Sequence, residues 1–332
     1  MNYRILGRTD LKISELGFGC GNVGGILVRG DHRNMVNVVA RAIELGINYF
    51  DTAPYYGDGK SETNLGAILK ELGSDVLVGT KIRLKAAEMD RIEDAVVASV
   101  NDSLKRLQRE SVDLMQLHNP VSAHRQPDRL WVGVDDVEPA VNAFRSLRNE
   151  GKIRHFGFTG LGETGALQQV VESGTFDSIQ TCYNLLNPSS GIQAPSDFPF
   201  QDYRMLMHRA LGHRMGIIAI RILAAGSLSG VMDRHPIAIP SVAPISSGPE
   251  YADDVETAKA FRFLMEEEIT ENLVEAAVRF VLSNDAVSTA LIGISNQEQL
   301  EQAVKYANKG SLPEEILPRL SKVWSGFALE RE

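Results

Sequence analysis

The chain has 332 residues, 43% apolar and 23% charged, which supplies a large buried core and excludes a disordered polymer. Length alone suggests two domains, but α/β barrels of roughly 250 residues or more fold as one unit. A net charge of −9 leaves no basic excess to neutralise phosphates, so neither a nucleic-acid partner nor an anionic membrane surface is expected.

The segment Met1–Arg8 lacks the apolar core of a signal peptide. No apolar run approaches the ~20 residues needed to span a bilayer. Cys20 and Cys182 read as two reduced thiols. The expected location is the cytoplasm.

In chain order, residues 3–14 read as a β-hairpin with Thr9-Asp10 near its turn. Eight apolar runs follow as strands: Leu16–Gly19, Ile47–Asp51, Val76–Lys81, Val112–His118, Ile153–Phe158, Ser178–Tyr183, Ile217–Ile222 and Thr289–Gly293. Helix-period stretches separate them, among them Asn34–Leu45, Glu62–Glu71, Arg91–Leu107 and Glu138–Asn149. Gly46 and Gly73 fall just past two of these helices, where a left-handed cap requires glycine. Strand followed by helix, repeated eight times, predicts an α/β fold of parallel strands closed as a (β/α)8 TIM barrel, one domain over 1–332. Residues 186–203 and 224–250, rich in Pro, Ser and Gly, interrupt the pattern after strands, so both belong to the barrel's C-terminal face. Loops this long are usually functional lids or disordered segments. A C-terminal amphipathic helix is expected over Glu315–Phe327.

Gly19-Cys20-Gly21-Asn22-Val23-Gly24 satisfies G-x-G-x-x-G after a strand. A dinucleotide-binding fingerprint must open directly into a helix and be followed by an acidic strand end about 20 residues on. Here Gly25–Asp31 intervenes, with Arg29-Gly30-Asp31 reading as loop, and the next strand-end acid, Asp51, lies farther away. A doubly wound fold is therefore rejected, and Gly21 and Asn22 are read as part of a glycine-rich loop lining a site.

Asp51 ends the second strand, Tyr56 follows it, Lys81 ends the third strand and His118 the fourth. Polar residues closing apolar strands occupy the catalytic face of barrels, and consecutive strand ends are neighbours. Reduction of a carbonyl needs a hydride and a proton. An ammonium beside a phenol lowers its pKa from ~10, an aspartate keeps that lysine charged, and a histidine orients the carbonyl. Singly, each has a structural reading: a cap for Asp51, packing for Tyr56, a snorkelling chain for Lys81, a satisfied core residue for His118. The four together favour chemistry. His118 and His124 lack zinc-ligand spacing, so no metal is expected.

At these positions the chain resembles the aldo-keto reductases. The likeness runs from Leu6-Gly7-Arg8-Thr9 to near residue 303, and Asp51-Thr52-Ala53 to Tyr56-Gly57, with Ser61-Glu62 and Leu65-Gly66, is specific to that family. The resemblance implies a catalytic tetrad of Asp51, Tyr56, Lys81 and His118 with Tyr56 as proton donor. It implies a cofactor extended across the barrel top, NADP(H) narrowly ahead of NAD(H). Thr159 and Gln180 would hold the carboxamide, with Gly160 standing where the family usually has Asn. Ile220 or Arg221 is left to cover the nicotinamide ring. The turn Gly293-Ile294-Ser295-Asn296 and Gln299 would meet the adenosine phosphate, but the expected Arg or Lys is absent and Glu298 is nearby.

The implied function is reduction of an aldehyde or ketone, acting on a small-molecule carbonyl or hydroxyl substrate. The alternatives are an NAD-dependent sugar or polyol dehydrogenase and a nucleotide-sensing regulatory subunit. Selectivity is assigned to loops 119–136, 186–203 and 224–255, with Trp131, Phe198, Phe200 and Tyr251 as apolar contacts. The last loop is expected to close over the cofactor. The sequence sets neither the substrate nor an oligomeric state.

Overall fold

A computed structural model of the chain describes residues 1–327. Eight parallel strands close a barrel: β1 (Leu16–Gly19), β2 (Tyr49–Asp51), β3 (Leu77–Ile82), β4 (Val112–Leu117), β5 (Ile153–Gly160), β6 (Ser178–Cys182), β7 (Gly216–Ile220) and β8 (Val287–Gly293). Each pairs with the next, and β8 returns to β1 with Gly293 opposite Gly19. The main helices outside are α1 (His32–Glu44), α2 (Lys60–Leu72), α3 (Ile92–Leu107), α4 (Val137–Asn149), α5 (Thr164–Glu172), α6 (Leu206–Gly212), α7 (Leu273–Leu282) and α8 (Gln297–Ala307). All eight expected strands are present with ends shifted by up to two residues. Gly46 and Gly73 adopt φ of +91° and +59°, as left-handed caps require.

Strand pleating explains the barrel's polarity. Alternate residues point inward, and Tyr49, Leu114, Ile218 and Leu291 form an apolar plug at mid-height. The hairpin, Tyr3–Ile5 paired with Lys12–Ser14, adds Leu6, Leu11 and Ile13 beneath that plug. It is clamped by Arg4, which donates to the carbonyls of Leu282 and Val287, and by Arg8, which donates to those of Gly174, Thr175 and Phe176. The N-terminal mouth is thereby sealed and the C-terminal mouth left for a site.

Two local readings are corrected. The segment Gly25–Asp31 contains one helical turn, Ile26–Arg29, entered from Gly25 at φ +84°; four residues are too few to show a period. The loop after β4 carries a small parallel pair, Val121–Ser122 with Val132–Gly133.

The segment after β7 forms a strap across the C-terminal mouth. It begins with a 3₁₀ stretch, Ala224–Ser229, and rejoins regular structure at helix Tyr251–Ala258. Arginines hold it: Arg221 donates to Ala243 O, Arg29 to Ile237 O, and Arg234 to Ala225 O, Ile239 O and Val23 O. Its far side docks on the loop after β6 through Asn187 and Tyr203, both bonded to Ser246. The C-terminal helix, Leu317–Gly326, supports that loop, where buried Trp324 donates to Leu185 O at 2.8 Å.

Candidate active site

Asp51 is the organising group. It is 3% exposed and lies opposite Gly79 across the β2–β3 ladder. Lys81 Nζ bonds its Oδ1. Its Oδ2 accepts from Gln180 at 2.6 Å, Gln116 at 3.2 Å and the Tyr49 hydroxyl at 3.2 Å. Gly79 makes room for this arrangement, since a Cβ there would lie 2.2 Å from the Tyr49 oxygen. Lys81 is fully buried and also donates to Thr52 O at 2.8 Å. A buried ion pair persists only when its remaining bonds are satisfied, and here they are.

The Lys81 ammonium lies 5.0 Å from the centroid of the Tyr56 ring. Burial alone would push this ammonium's acidity constant down, but Asp51 and the Tyr56 hydroxyl reverse that and hold it above the usual lysine value. The tyrosine departs from expectation. Its phenol is pushed above its ordinary value because burial, with Asp51 adding to it, outweighs the lysine's opposing pull. The lysine charge is largely compensated by its own aspartate. Tyr56 is therefore a protonated acid at neutral pH rather than a phenol with a lowered pKa.

His118 follows β4, its backbone N–H bonded to Ile82 O. Its Nδ1 lies 2.8 Å from the Thr159 hydroxyl, and its ring stacks on Tyr55 at 5.3 Å. Burial, then Lys81 and Arg83, drives the imidazole well below its ordinary value, so it is neutral at pH 7.

Asp51, Tyr56 and His118 line one cavity of about 500 Å³, with Lys81 buried behind them. Of the residues expected at the cofactor, Gly21, Gln180, Ile220, Arg221, Gly293, Ser295 and Gln299 also line it. Asn22, Thr159, Gly160 and Asn296 lie outside the lining. The Asn22 side chain accepts from Gly57 N, Thr159 stands behind His118, and Asn296 caps α8 by accepting from Gln299 N at 2.8 Å. A Cβ at Gly160 would point at Ile179 and Gln180 O, so this position offers the site no side chain. Of the loop aromatics only Tyr251 reaches the cavity; Phe198 and Phe200 pack on each other, Phe200 also on Phe327, and Trp131 stacks under Arg129.

Sequence reading missed Arg234 and His235, which line the cavity from the strap. Their only signal was position within a Pro/Gly-rich loop. Arg234 lies 5.3 Å over the Tyr251 ring while its nitrogens serve strap carbonyls.

Comparison with known proteins decides the lineage: the model of the Aldo/keto reductase family matches residues 15–325. The chain is an aldo-keto reductase. It is 31% identical over 311 residues to the L-galactose dehydrogenase of Arabidopsis thaliana, covering 91% of this chain and 86% of that one. It is 28% identical to a putative voltage-gated potassium channel subunit beta of Schizosaccharomyces pombe, covering 99% and 94%. Among solved structures, the holo form of aldo-keto reductase AKR11C1 from Bacillus halodurans superposes with a TM-score of 0.72 at 26% identity, covering 97% and 96%.

As an aldo-keto reductase the protein is an oxidoreductase; enzymes of this family generally use a nicotinamide cofactor and act on small carbonyl compounds. The cavity fits such a dinucleotide on its own geometry. Its volume is within the range of small-molecule sites, it extends from the tetrad to the start of α8, and Gly24 lets its loop lie directly against the end of β8, since a Cβ there would lie 2.3 Å from Ile294 N. Among the described residues no helix is long and apolar enough to cross a membrane.

Proposed function

We propose that this aldo-keto reductase interconverts a small carbonyl compound and its alcohol, with NAD(H) as cofactor and Tyr56 as the acid–base group. The bound nicotinamide supplies or accepts the hydride. Tyr56 gives its proton to the alkoxide oxygen that develops in reduction and takes it back in oxidation. Lys81 stabilises the phenolate left behind, and Asp51 keeps that lysine charged and aimed. With the Thr159 hydroxyl donating to Nδ1, neutral His118 retains an N–H at Nε2 to orient the substrate oxygen. Ile220 continues the inward-facing row of Ile218 and packs on the mid-barrel plug, which favours it as the apolar cover for the nicotinamide ring. Arg221 is drawn away to Ala243 O.

The cofactor preference turns on the beginning of α8. The Ser295 backbone N–H donates to Gln299 Oε1 at 2.9 Å and its hydroxyl to Gly24 O at 2.7 Å. The Ser295 donors are thus already satisfied, and residues 292–302 contain no Lys or Arg. Charge-assisted bonds are roughly twice as strong as neutral ones, so their lack favours NAD(H) over the family's usual NADP(H). The sugar dehydrogenase among the relatives makes sugars and polyols the first substrates to screen.

The observation that carries this reading is the packing of Tyr56 against the buried Lys81–Asp51 pair at the cavity wall. It is tested by Tyr56→Phe. The variant should bind NADH as wild type does and turn over at least on the order of 10²-fold more slowly; a rate within a few-fold of wild type removes Tyr56 from the mechanism. A regulatory, non-catalytic role, suggested by the channel-subunit relative, has the complete tetrad against it. Tight cofactor binding with negligible turnover across a sugar and aldehyde panel would favour that role.

A further inference from the structure

A second cleft, of about 560 Å³, opens on the outer side of Tyr55, between the end of β3 and α3. Tyr55 is the partition. Its ring stacks on His118 at 5.3 Å on the catalytic side, and the Arg83 guanidinium lies 5.7 Å from its centroid. The Tyr55 hydroxyl is shielded from solvent and has no hydrogen-bond partner among the described residues. Buried polar groups are almost always partnered, and this hydroxyl is a donor that no protein group uses.

The charges around the cleft sort into spent and open. Arg106 is bonded to Glu62 at 2.6 Å, Lys85 lies 3.7 Å from Glu88, and Asp102 is held by Lys105 at 2.9 Å. Arg83, and Arg91 just before α3, have neither a hydrogen bond from their guanidinium groups nor an ion pair among the described residues, and both line the cleft. The carboxylates of Asp58 and Asp94, also on its wall, are likewise open.

The geometry points to a subsite in this cleft for the carboxylate or phosphate of a polyhydroxylated small molecule, held by Arg83, Arg91 and the Tyr55 hydroxyl. Guanidinium groups present the forked donors that such anions accept, and Asp58 and Asp94 offer acceptors for the ligand's hydroxyls. Arg83, Arg91, Asp58 and Asp94 are exposed at the cleft, and a purely apolar ligand would use none of them. Because Tyr55 stacks directly on His118, occupancy of the cleft is one ring away from the catalytic imidazole. The same anion chemistry suits either the far end of a substrate or a separate effector. The assignment rests on the cleft alone and stands apart from the cofactor reading.

Calorimetric titration of the full chain with 6-phosphogluconate, which has no aldehyde or ketone to reduce, tests the subsite. Saturable binding is expected. Arg83→Gln and Arg91→Gln should each weaken it on the order of tenfold. Tyr55→Phe, which keeps the ring stack, should weaken it severalfold. The far-UV circular dichroism spectrum and thermal midpoint should be unchanged in all three, which establishes that they are folded. No saturable binding to wild type, or equal affinity in the Arg83→Gln/Arg91→Gln double variant, overturns the proposal. In the kinetics, competitive inhibition assigns the cleft to the distal end of the substrate, and a change in kcat at saturating substrate assigns it to an effector. Absence of binding while Tyr56→Phe still abolishes turnover would remove the cleft and leave the catalytic reading intact.

Discussion

Asp51 receives four side-chain donors, and one of them, Lys81, is fully buried. Removing the lysine would leave a carboxylate without its counter-charge in the barrel, a change that typically costs about 3–5 kcal/mol. Lys81→Met should therefore lower unfolding stability by about that amount in urea denaturation, and adding Asp51→Asn should restore part of it. If the single variant is as stable as wild type, the pair is not buried in solution as described. The convergence of Asp51, Tyr56, Lys81 and His118 was legible in the sequence because polar residues closing apolar strands stand out against their runs. The acidity of Tyr56 was not legible, because it depends on how far Asp51 cancels Lys81, a matter of distances. Since burial holds the Tyr56 phenol above its ordinary value of 10, reductive turnover should show no loss of this acid between pH 6 and 9. A fall in rate centred near neutrality with Tyr56→Phe unaffected would contradict the assignment.

The hairpin is held to the barrel by a cluster of charges. His155 lies 2.7 Å from Asp10 on the hairpin and 3.7 Å from Asp177, which also receives Arg8 at 3.1 Å. Burial alone would lower the imidazole, but the two carboxylates reverse this and raise it above 6.5. A raised folded value means that His155 stabilises the fold fully below about pH 6.5 and ceases to do so as pH rises through the folded value. His155→Gln should accordingly destabilise the protein more at pH 6 than at pH 9 in denaturant titrations; equal loss at both would dismiss the ion pair. At the opposite end, the strap over 230–250 is fixed by a few arginine-to-carbonyl bonds rather than by regular structure. Limited proteolysis within it should slow when NADH is bound, and identical cleavage rates would argue against closure. Strands and long helices were legible because their periods repeat. The turn Ile26–Arg29 was not, being too short to show a period, and neither were the bond of Arg29 to the strap and that of Arg234 on the strap to Val23, which join residues some 200 positions apart that no local pattern encodes. At α8, Gln299→Arg should raise NADPH affinity by about tenfold, through one charge-assisted bond, without a comparable gain for NADH.

On the scale of the whole molecule, the division between a sealed end and an open end follows from the chain itself. Apolar hairpin residues close one mouth, and polar strand ends with the two long loops occupy the other. The Pro/Gly/Ser-rich loops marked the end that carries the cavity, but which of their side chains faced it depended on how they docked. Phe198 and Phe200 went to packing and Tyr251 to the site. Fluorescence titration of the purified protein with NADH and NADPH tests the central claim most directly. Saturable binding of both, with NADH the tighter, is predicted; failure to bind either would contradict a dinucleotide site at the barrel mouth, and tighter NADPH binding would contradict the reading of the α8 terminus.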